Sequence, residues 1–180
     1  MITVEGLDKS FDGTLVLKGI SATFERGITS MIIGQSGSGK TVLLKCLLGL
    51  HDPEEGIISF DGRNHNELTI SDRRQLRQEI GMVFQGGALY DSLTIEENIM
   101  FPLKMFTNNS FEQMLDRVNF VLNRVNLENV NKKFPAQLSG GMQKRVSIAR
   151  AIVMNPKYSY AGSSYDLQQK IIAEYDKLIK

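Results

Sequence analysis

The sequence has little of what would mark several large classes of protein. It holds one cysteine, no tryptophan, four prolines and two histidines among 180 residues. A lone Cys46 excludes an internal disulfide and fits a reducing compartment. No apolar run approaches a membrane span, and the opening stretch MITVEGLDKS lacks the basic-then-apolar pattern of a secretory signal. The expectation is a soluble chain that reaches a membrane only through a partner. An excess of charge is also missing: 21 Lys and Arg face 20 Asp and Glu, a net charge of +1. Bulk charge therefore points neither to nucleic acid nor to acidic lipid. Internal repeats and low-complexity linkers are absent.

What is present is a chain of ordinary globular composition, 42% apolar and 23% charged, long enough to bury a sizeable core. Its first third reads as strands. ITVEGLDKSF, TLVLKGISATFERG and ITSMIIG are β-branched and apolar stretches punctuated by Gly13, Gly19 and Gly27. SMIIG is nearly all apolar, the pattern of a strand buried on both faces. It runs into GQSGSGKT and then VLLKCLLGL, a short apolar helix. A strand pair around Asp61-Gly62, a charged helix SDRRQLRQ and a buried-type strand IGMVFQ follow. From about residue 93 the pattern turns helical. In SFEQMLDRVNFVLNRVNL, Phe111, Met114, Leu115, Val118, Val121, Leu122 and Val125 share one face, and Ser110 with Gln113 forms a capping box. LSGGMQKRVSIARAIV reads as a further helix. The fold class expected is α/β with a helical insert.

Residues 34–41, Gly34-Gln35-Ser36-Gly37-Ser38-Gly39-Lys40-Thr41, carry the first chemistry. Their spacing, Gly, four residues, Gly-Lys-Thr, is that of a phosphate loop. The glycines let successive N–H groups converge on phosphate oxygens, and the following helix points its positive dipole end at them. Lys40 is placed to reach the β and γ phosphates of a nucleotide, and the Thr41 hydroxyl to ligate Mg²⁺. The setting between an apolar strand and a helix is the one this motif requires. Further on, Gly140 and Gly141 open a helix with Ser139 as N-cap. Taken alone, that is only a capped helix start.

Joined to the phosphate loop, LSGGMQKR (138–145) resembles the signature motif of ATP-binding cassette (ABC) ATPases. Gln85, at the end of IGMVFQ, stands where that family has its Q-loop, and Phe11 stands at the aromatic position that stacks on adenine. The resemblance covers about residues 1–158. It implies a P-loop NTPase core with a RecA-like parallel sheet, an antiparallel β subdomain and a helical insert. It implies ATP and Mg²⁺ as cofactors, with Lys40 and Gln85 catalytic and Thr41 and Gln85 at the metal. Leu138, Ser139, Gly140, Gly141 and Gln143 of the signature motif would act in trans in a homodimer. Transmembrane permease subunits are the other partners implied, at the inner face of the cell membrane, with no nucleic acid. FQGGALYDSLTIEENIMFPLK is similar to the segment after the Q-loop in Mla-type phospholipid-trafficking ATPases, which makes lipid the cargo implied.

The resemblance also implies a single ABC ATPase domain over 1–180: β subdomain and P-loop core at 1–92, helical subdomain at 93–137, signature helix at 138–158, and an atypical end at 159–180. Family spacing counted from Leu138 places the Asp and Glu of the next motif on Gly162 and Ser163, with Ser164 for a proline. Asp166 reads instead as an N-cap for LQQKIIAEYDKLIK. No histidine follows Gln85; His51 and His65 read as loop and surface residues. The sequence leaves these readings open: a lipid-transport ATPase truncated or altered beyond about residue 158, a regulatory nucleotide-binding module that does not hydrolyse, or an ABC importer subunit for another substrate.

Overall fold

Asp12 and Gly13 both take positive φ, 49° and 76°, the requirement of a two-residue hairpin turn whose twist matches its strands. The computed structural model describes residues 1–84 and 86–161, and this turn joins β1 (Ile2–Phe11) to β2 (Thr14–Phe24), with Phe11 opposite Thr14. A second Asp-Gly pair, Asp61 and Gly62 at φ 50° and 79°, joins β3 (Glu55–Phe60) to the short β4 (Arg63–Asn64). The antiparallel sheet runs β2-β1-β3-β4. Val4, Leu7, Leu17, Ile58 and Phe60 from its strands are buried. Between β2 and β3 lies α1 (Lys40–Leu47), which buries Leu43, Cys46 and Leu47; α2 (Ile70–Gln78) follows β4 and buries Leu76.

The chain divides into two compact units, Met1–Arg77 and a second beginning at Gln78. The second opens with β5 (Ile80–Val83), passes through α3 (Ile95–Phe106), α4 (Phe111–Arg124) and α5 (Gly140–Ile152), and returns in β6 (Tyr158–Ala161). β6 lies parallel to β5, with Ile80 opposite Tyr158, so the helices form the crossover that a parallel pair needs. Ile95, Ile99, Met100, Val118, Val121, Val130, Val146 and Val153 make one contiguous core. Full burial of each such side chain stabilises by about 1.5–3 kcal/mol.

Polar groups finish the helices. Thr94 with Glu97, and Ser110 with Gln113, form capping boxes at the starts of α3 and α4. At the other ends α4 and α5 serve each other. Arg117 of α4 donates from Nε to the Val153 carbonyl at 2.8 Å, and Arg145 of α5 donates to the Asn126 carbonyl at 2.9 Å. Each cation thus lies at the negative end of the other helix, where carbonyls lack intrahelical partners.

Three expectations need correction. Residues 28–34 form no strand; among the described residues no strand pairs with them, and Ile28, Met31 and Ile33 are exposed. An apolar run becomes a central strand only where neighbours complete its hydrogen-bond ladder, and the described sheets supply none. Phe111 lies outside the core face of α4, 55% exposed at its first turn. His65, expected at the surface, is 3% exposed in a short 3-10 turn, its ring tilted against Phe60. Gly162, Ser163 and the helix expected after Asp166 lie outside the described residues.

Among the described residues the buried His65 Nδ1 finds no hydrogen-bond partner. Burial, helped by the Arg73 and Arg77 cations and opposed by the Asp52 carboxylate, pulls its pKa below the usual histidine value. A histidine held neutral in the fold binds its proton more readily in the unfolded chain. Its contribution is therefore whole above the unfolded pKa of about 6.5 and is lost as pH falls toward the lower folded value. Urea denaturation at pH 7.5 and pH 5.5 is expected to show wild type losing stability on acidification, and His65→Leu losing distinctly less. Equal losses would remove His65 as the cause.

Candidate functional site

The phosphate-loop residues sit in a curl built by two left-handed glycines, Gly37 at φ 80° and Gly39 at φ 87°. Ser38 N–H donates to the Gln35 carbonyl, closing a turn that brings neighbouring amides to one side. Gly39 is the N-cap of α1 and offers no side chain to the helix start, so that end is left to an external anion. Lys40 Nζ folds back over the loop, donating to the carbonyls of Gly34 and Gln35 at 2.7 Å each. Ser36, Gly37, Ser38 and Thr41 are exposed. The curl, the bare helix start and a cation held at the rim suit a polyphosphate.

Phe11 ends β1 beside the hairpin turn and is 38% exposed. Next to it Glu54 accepts from Lys9 Nζ at 2.6 Å and from the Ser10 N–H at 2.8 Å. The Lys9 side chain's hydrogen bond first, then that of Ser10, holds the Glu54 carboxyl below the usual carboxylate range. No sequence motif marks Glu54, because its partners lie more than forty positions upstream.

Ser139 is the N-cap of α5; its Oγ accepts from the Met142 N–H. Ser139, Gly140 and Gly141 are exposed, so the glycine amides of the first turn face outward. Leu138 is buried in the core. The Gln143 side chain turns back on its own loop, donating to the Pro135 carbonyl at 2.9 Å and to that of Leu138 at 3.3 Å. Within the second unit, then, Ser139 to Gly141 present a surface while Leu138 and Gln143 brace it. A recess of about 510 Å³ lined by Asn129, Asn131, Lys132, Lys133 and Gln137 lies before this turn. Its Lys132 is committed to the buried Glu96 carboxylate at 2.5 Å.

Gln85 lies outside the described residues. The turn after it is held from several sides. Gly86, Gly87 and Ala88 all have positive φ. From α5, Arg150 donates to the Gly87 and Ala88 carbonyls at 2.9 Å each, and the buried Ser147 hydroxyl donates to Gly87 at 3.1 Å. A Cβ on Gly87 would fall 2.6 Å from Ser147 Oγ. Asn98, fully buried in α3, accepts from the Tyr90 N–H and donates to the carbonyls of Tyr90, Leu93 and Thr94. Ser147, Arg150 and Asn98 belong to no motif that spacing alone singles out. A polar side chain on an apolar helix face is the signal that could have found them.

Among the described residues no cluster of three or more His, Cys, Asp and Glu could hold a metal ion, and no helix is long and apolar enough to cross a membrane. Of the described residues, Thr41 offers an exposed hydroxyl, which together with a ligand's own phosphate oxygens is a donor set that Mg²⁺ accepts.

Comparison with known proteins agrees with this geometry. The profile of the family described as ABC transporter matches residues 17–160. The probable ribonucleotide transport ATP-binding protein mkl of Mycobacterium tuberculosis is 39% identical over 156 residues, covering 87% of this chain and 44% of its own length. The methionine import ATP-binding protein MetN of Clostridium tetani is 39% identical over 157 residues, covering 87% and 49%. The chain thus spans about half the length of the curated relatives it matches. A bacterial ABC transporter cassette solved as a dimer superposes with a TM-score of 0.84 at 31% identity, over 99% of this chain and 82% of that one. CbiO1 from Clostridium perfringens, described as part of an ABC transporter complex, gives 0.84 at 29% identity over 98% and 72%. With a conforming phosphate loop, a capped glycine helix start and these matches, the chain belongs to the ABC transporter family and has the P-loop NTPase fold of its ATP-binding cassettes.

Proposed function

We propose that this chain binds ATP with Mg²⁺ as the nucleotide-binding subunit of an ABC transporter. The observation that carries the reading is the curl at Gly34–Thr41, with Gly37 and Gly39 left-handed and Lys40 Nζ at the rim. The amides of 36–40 would take the phosphates. Lys40 would exchange two neutral carbonyl acceptors for phosphate oxygens, a charge-assisted contact and the stronger one. Phe11 would stack on the base. Thr41 would contribute its hydroxyl to the Mg²⁺ shell, with Gln85 as the second residue there, and the metal would neutralise charge on the γ phosphate. A similar cassette has been solved bound to ADP and Pi.

Partners follow from the outward-facing start of α5. Ser139, Gly140 and Gly141 would cap the nucleotide held by a second copy, completing its phosphate cage in trans, in a homodimer. Leu89 and Tyr90, on the turn braced by Arg150 and Asn98, would receive a helix of a membrane permease, placing the chain at the cytoplasmic face. Lipid as cargo rests on the similarity of residues 84–104 to Mla-type ATPases. The similar proteins carry names for ribonucleotide, methionine, glutamine and sulfate transport. Reconstitution with its permeases, scored by movement of labelled phospholipid or amino acid, decides the cargo.

Lys40→Ala is expected to weaken ATP binding about 100-fold or more, since hydrogen bonds to charged groups contribute about 1.5–3 kcal/mol each and several are lost together. Calorimetry giving equal affinities would refute the phosphate-loop reading.

Trans capping is testable through thiols. Burial, first among its causes, pushes the Cys46 thiol above its usual pKa, and its side chain is fully covered, so it reacts poorly. Ser139→Cys would then carry the one readily reactive thiol. It is expected to cross-link to a second copy with nucleotide present and not without. Cross-linking indifferent to nucleotide would count against the capped dimer.

Turnover should be slow. Gly162 and Ser163 stand where the resemblance expects the magnesium-shell Asp and the water-polarising Glu, and a positioned base contributes about 10²–10⁴-fold. Steady-state phosphate release is expected to be near background, and to rise in the Gly162→Asp/Ser163→Glu double variant. Brisk turnover by the unmodified chain, abolished by Lys40→Ala, would assign the base elsewhere. This absence favours a second reading, a subunit that binds nucleotide without hydrolysing it.

A further inference from the structure

We infer that His51 is a positioning residue for the adenine platform, holding the Phe11 ring through an edge-to-face contact so that the site selects for the base. The inference rests on the reading of Phe11 as the stacking residue. The two rings are 5.3 Å apart at 71°, the T-shaped arrangement in which the positive edge of one ring meets the negative face of the other. Lys9 Nζ lies over the Phe11 ring at 5.3 Å from its centre, a cation–π contact. Lys9 is itself pinned by Glu54, which also accepts from Ser10 N–H. An aromatic side chain at a hairpin end would otherwise sample several rotamers in water. Here two neighbours fix it while 38% of its surface stays open to a ligand.

The segment that carries His51 is tied down as well. Leu50 and His51 N–H groups both donate to the Lys45 carbonyl in the last turn of α1, at 2.8 and 3.3 Å, and Glu54 N–H donates to Asp8 of β1. The helix whose first residue is Lys40 therefore supports, from its far end, the loop that orients Phe11. The phosphate and base contacts hang from one element. A preorganised ring loses less freedom when a base stacks on it, so the gain appears as affinity for nucleotide and not for bare phosphate chains.

The test compares ATP with inorganic tripolyphosphate, which offers the phosphate loop its ligand and Phe11 nothing. Calorimetry on the full chain is expected to show His51→Leu weakening ATP about threefold, in line with a single aromatic contact, with tripolyphosphate affinity unchanged. His51→Phe restores the ring and should restore ATP binding. Phe11→Ala should weaken ATP about fivefold, again sparing tripolyphosphate. Equal loss for both ligands in His51→Leu, or no rescue by His51→Phe, would reduce His51 to a packing residue and overturn the proposal. It is overturned equally if His51→Leu changes nothing while Phe11→Ala does. Should Phe11→Ala itself leave ATP binding intact while Lys40→Ala abolishes it, the platform reading falls and takes this proposal with it, leaving nucleotide binding standing.

Discussion

At residue 39 the main chain turns through φ 87° while lying against β2, and a Cβ there would sit 2.9 Å from Leu17 Cδ2 and 3.2 Å from the Val16 carbonyl oxygen. Two effects together exclude any side chain: the dihedral strains an L-residue, and the approach leaves no room for one. That single constraint aims the amides before α1, fixes where the helix begins and delivers Lys40 to the rim of the loop. It also gives the phosphate loop a support although, among the described residues, no strand pairs with residues 28–34. The support comes from the hairpin, whose Val16 and Leu17 press on the turn from behind, and not from the segment leading into it.

The second unit reaches order by a different route. Its helices meet through an apolar core, but their ends and the intervening loops are settled by long polar side chains acting across sequence. Arg117 and Arg145 exchange places at the ends of α4 and α5. Arg150 and Ser147 take hold of a turn in which three successive residues are left-handed. Burying the Arg150 guanidinium lowers its pKa, a cost that two carbonyl acceptors offset. The helix that begins with Ser139 is thereby fastened at its other end to the segment following Gln85, so displacement of one implies displacement of the other.

Features set by local chemistry were legible in the sequence. The Asp61-Gly62 turn, the Ser110–Gln113 box, the glycines of 34–39 and the Ser139 cap depend on residues within a few positions of one another, and spacing suffices to read them. Tyr158–Ala161, without a branched apolar residue, still pairs along β5, because a neighbour in register decides a strand more than its propensity does. For the same reason SMIIG, with the better composition, forms none. The burial of His65 has no sign in the sequence around it, since nothing beside it is apolar; Phe60 and Gly49 enclose it only once the hairpin closes. The partners of Glu54, Asn98 and Arg150 lie across turns or far along the chain, where no periodicity can announce them.

Asn98 raises a question of chemical ageing. Its amide spreads two donor hydrogens over three carbonyls and accepts one backbone N–H, so one side chain ties Tyr90, Leu93 and Thr94 together where the backbone has no ladder of its own. Hydrolysis of that amide to a carboxylate would alter hardly any volume, yet it would turn a donor into an acceptor facing three oxygens inside a buried site, the costliest kind of mismatch. The same helix protects against it. Asn98 lies in the first turn of α3, where the succeeding amide is tied into the helical backbone and is poorly placed to attack its side chain. The lifetime of an irregular loop is thus set by the regularity of the helix beside it.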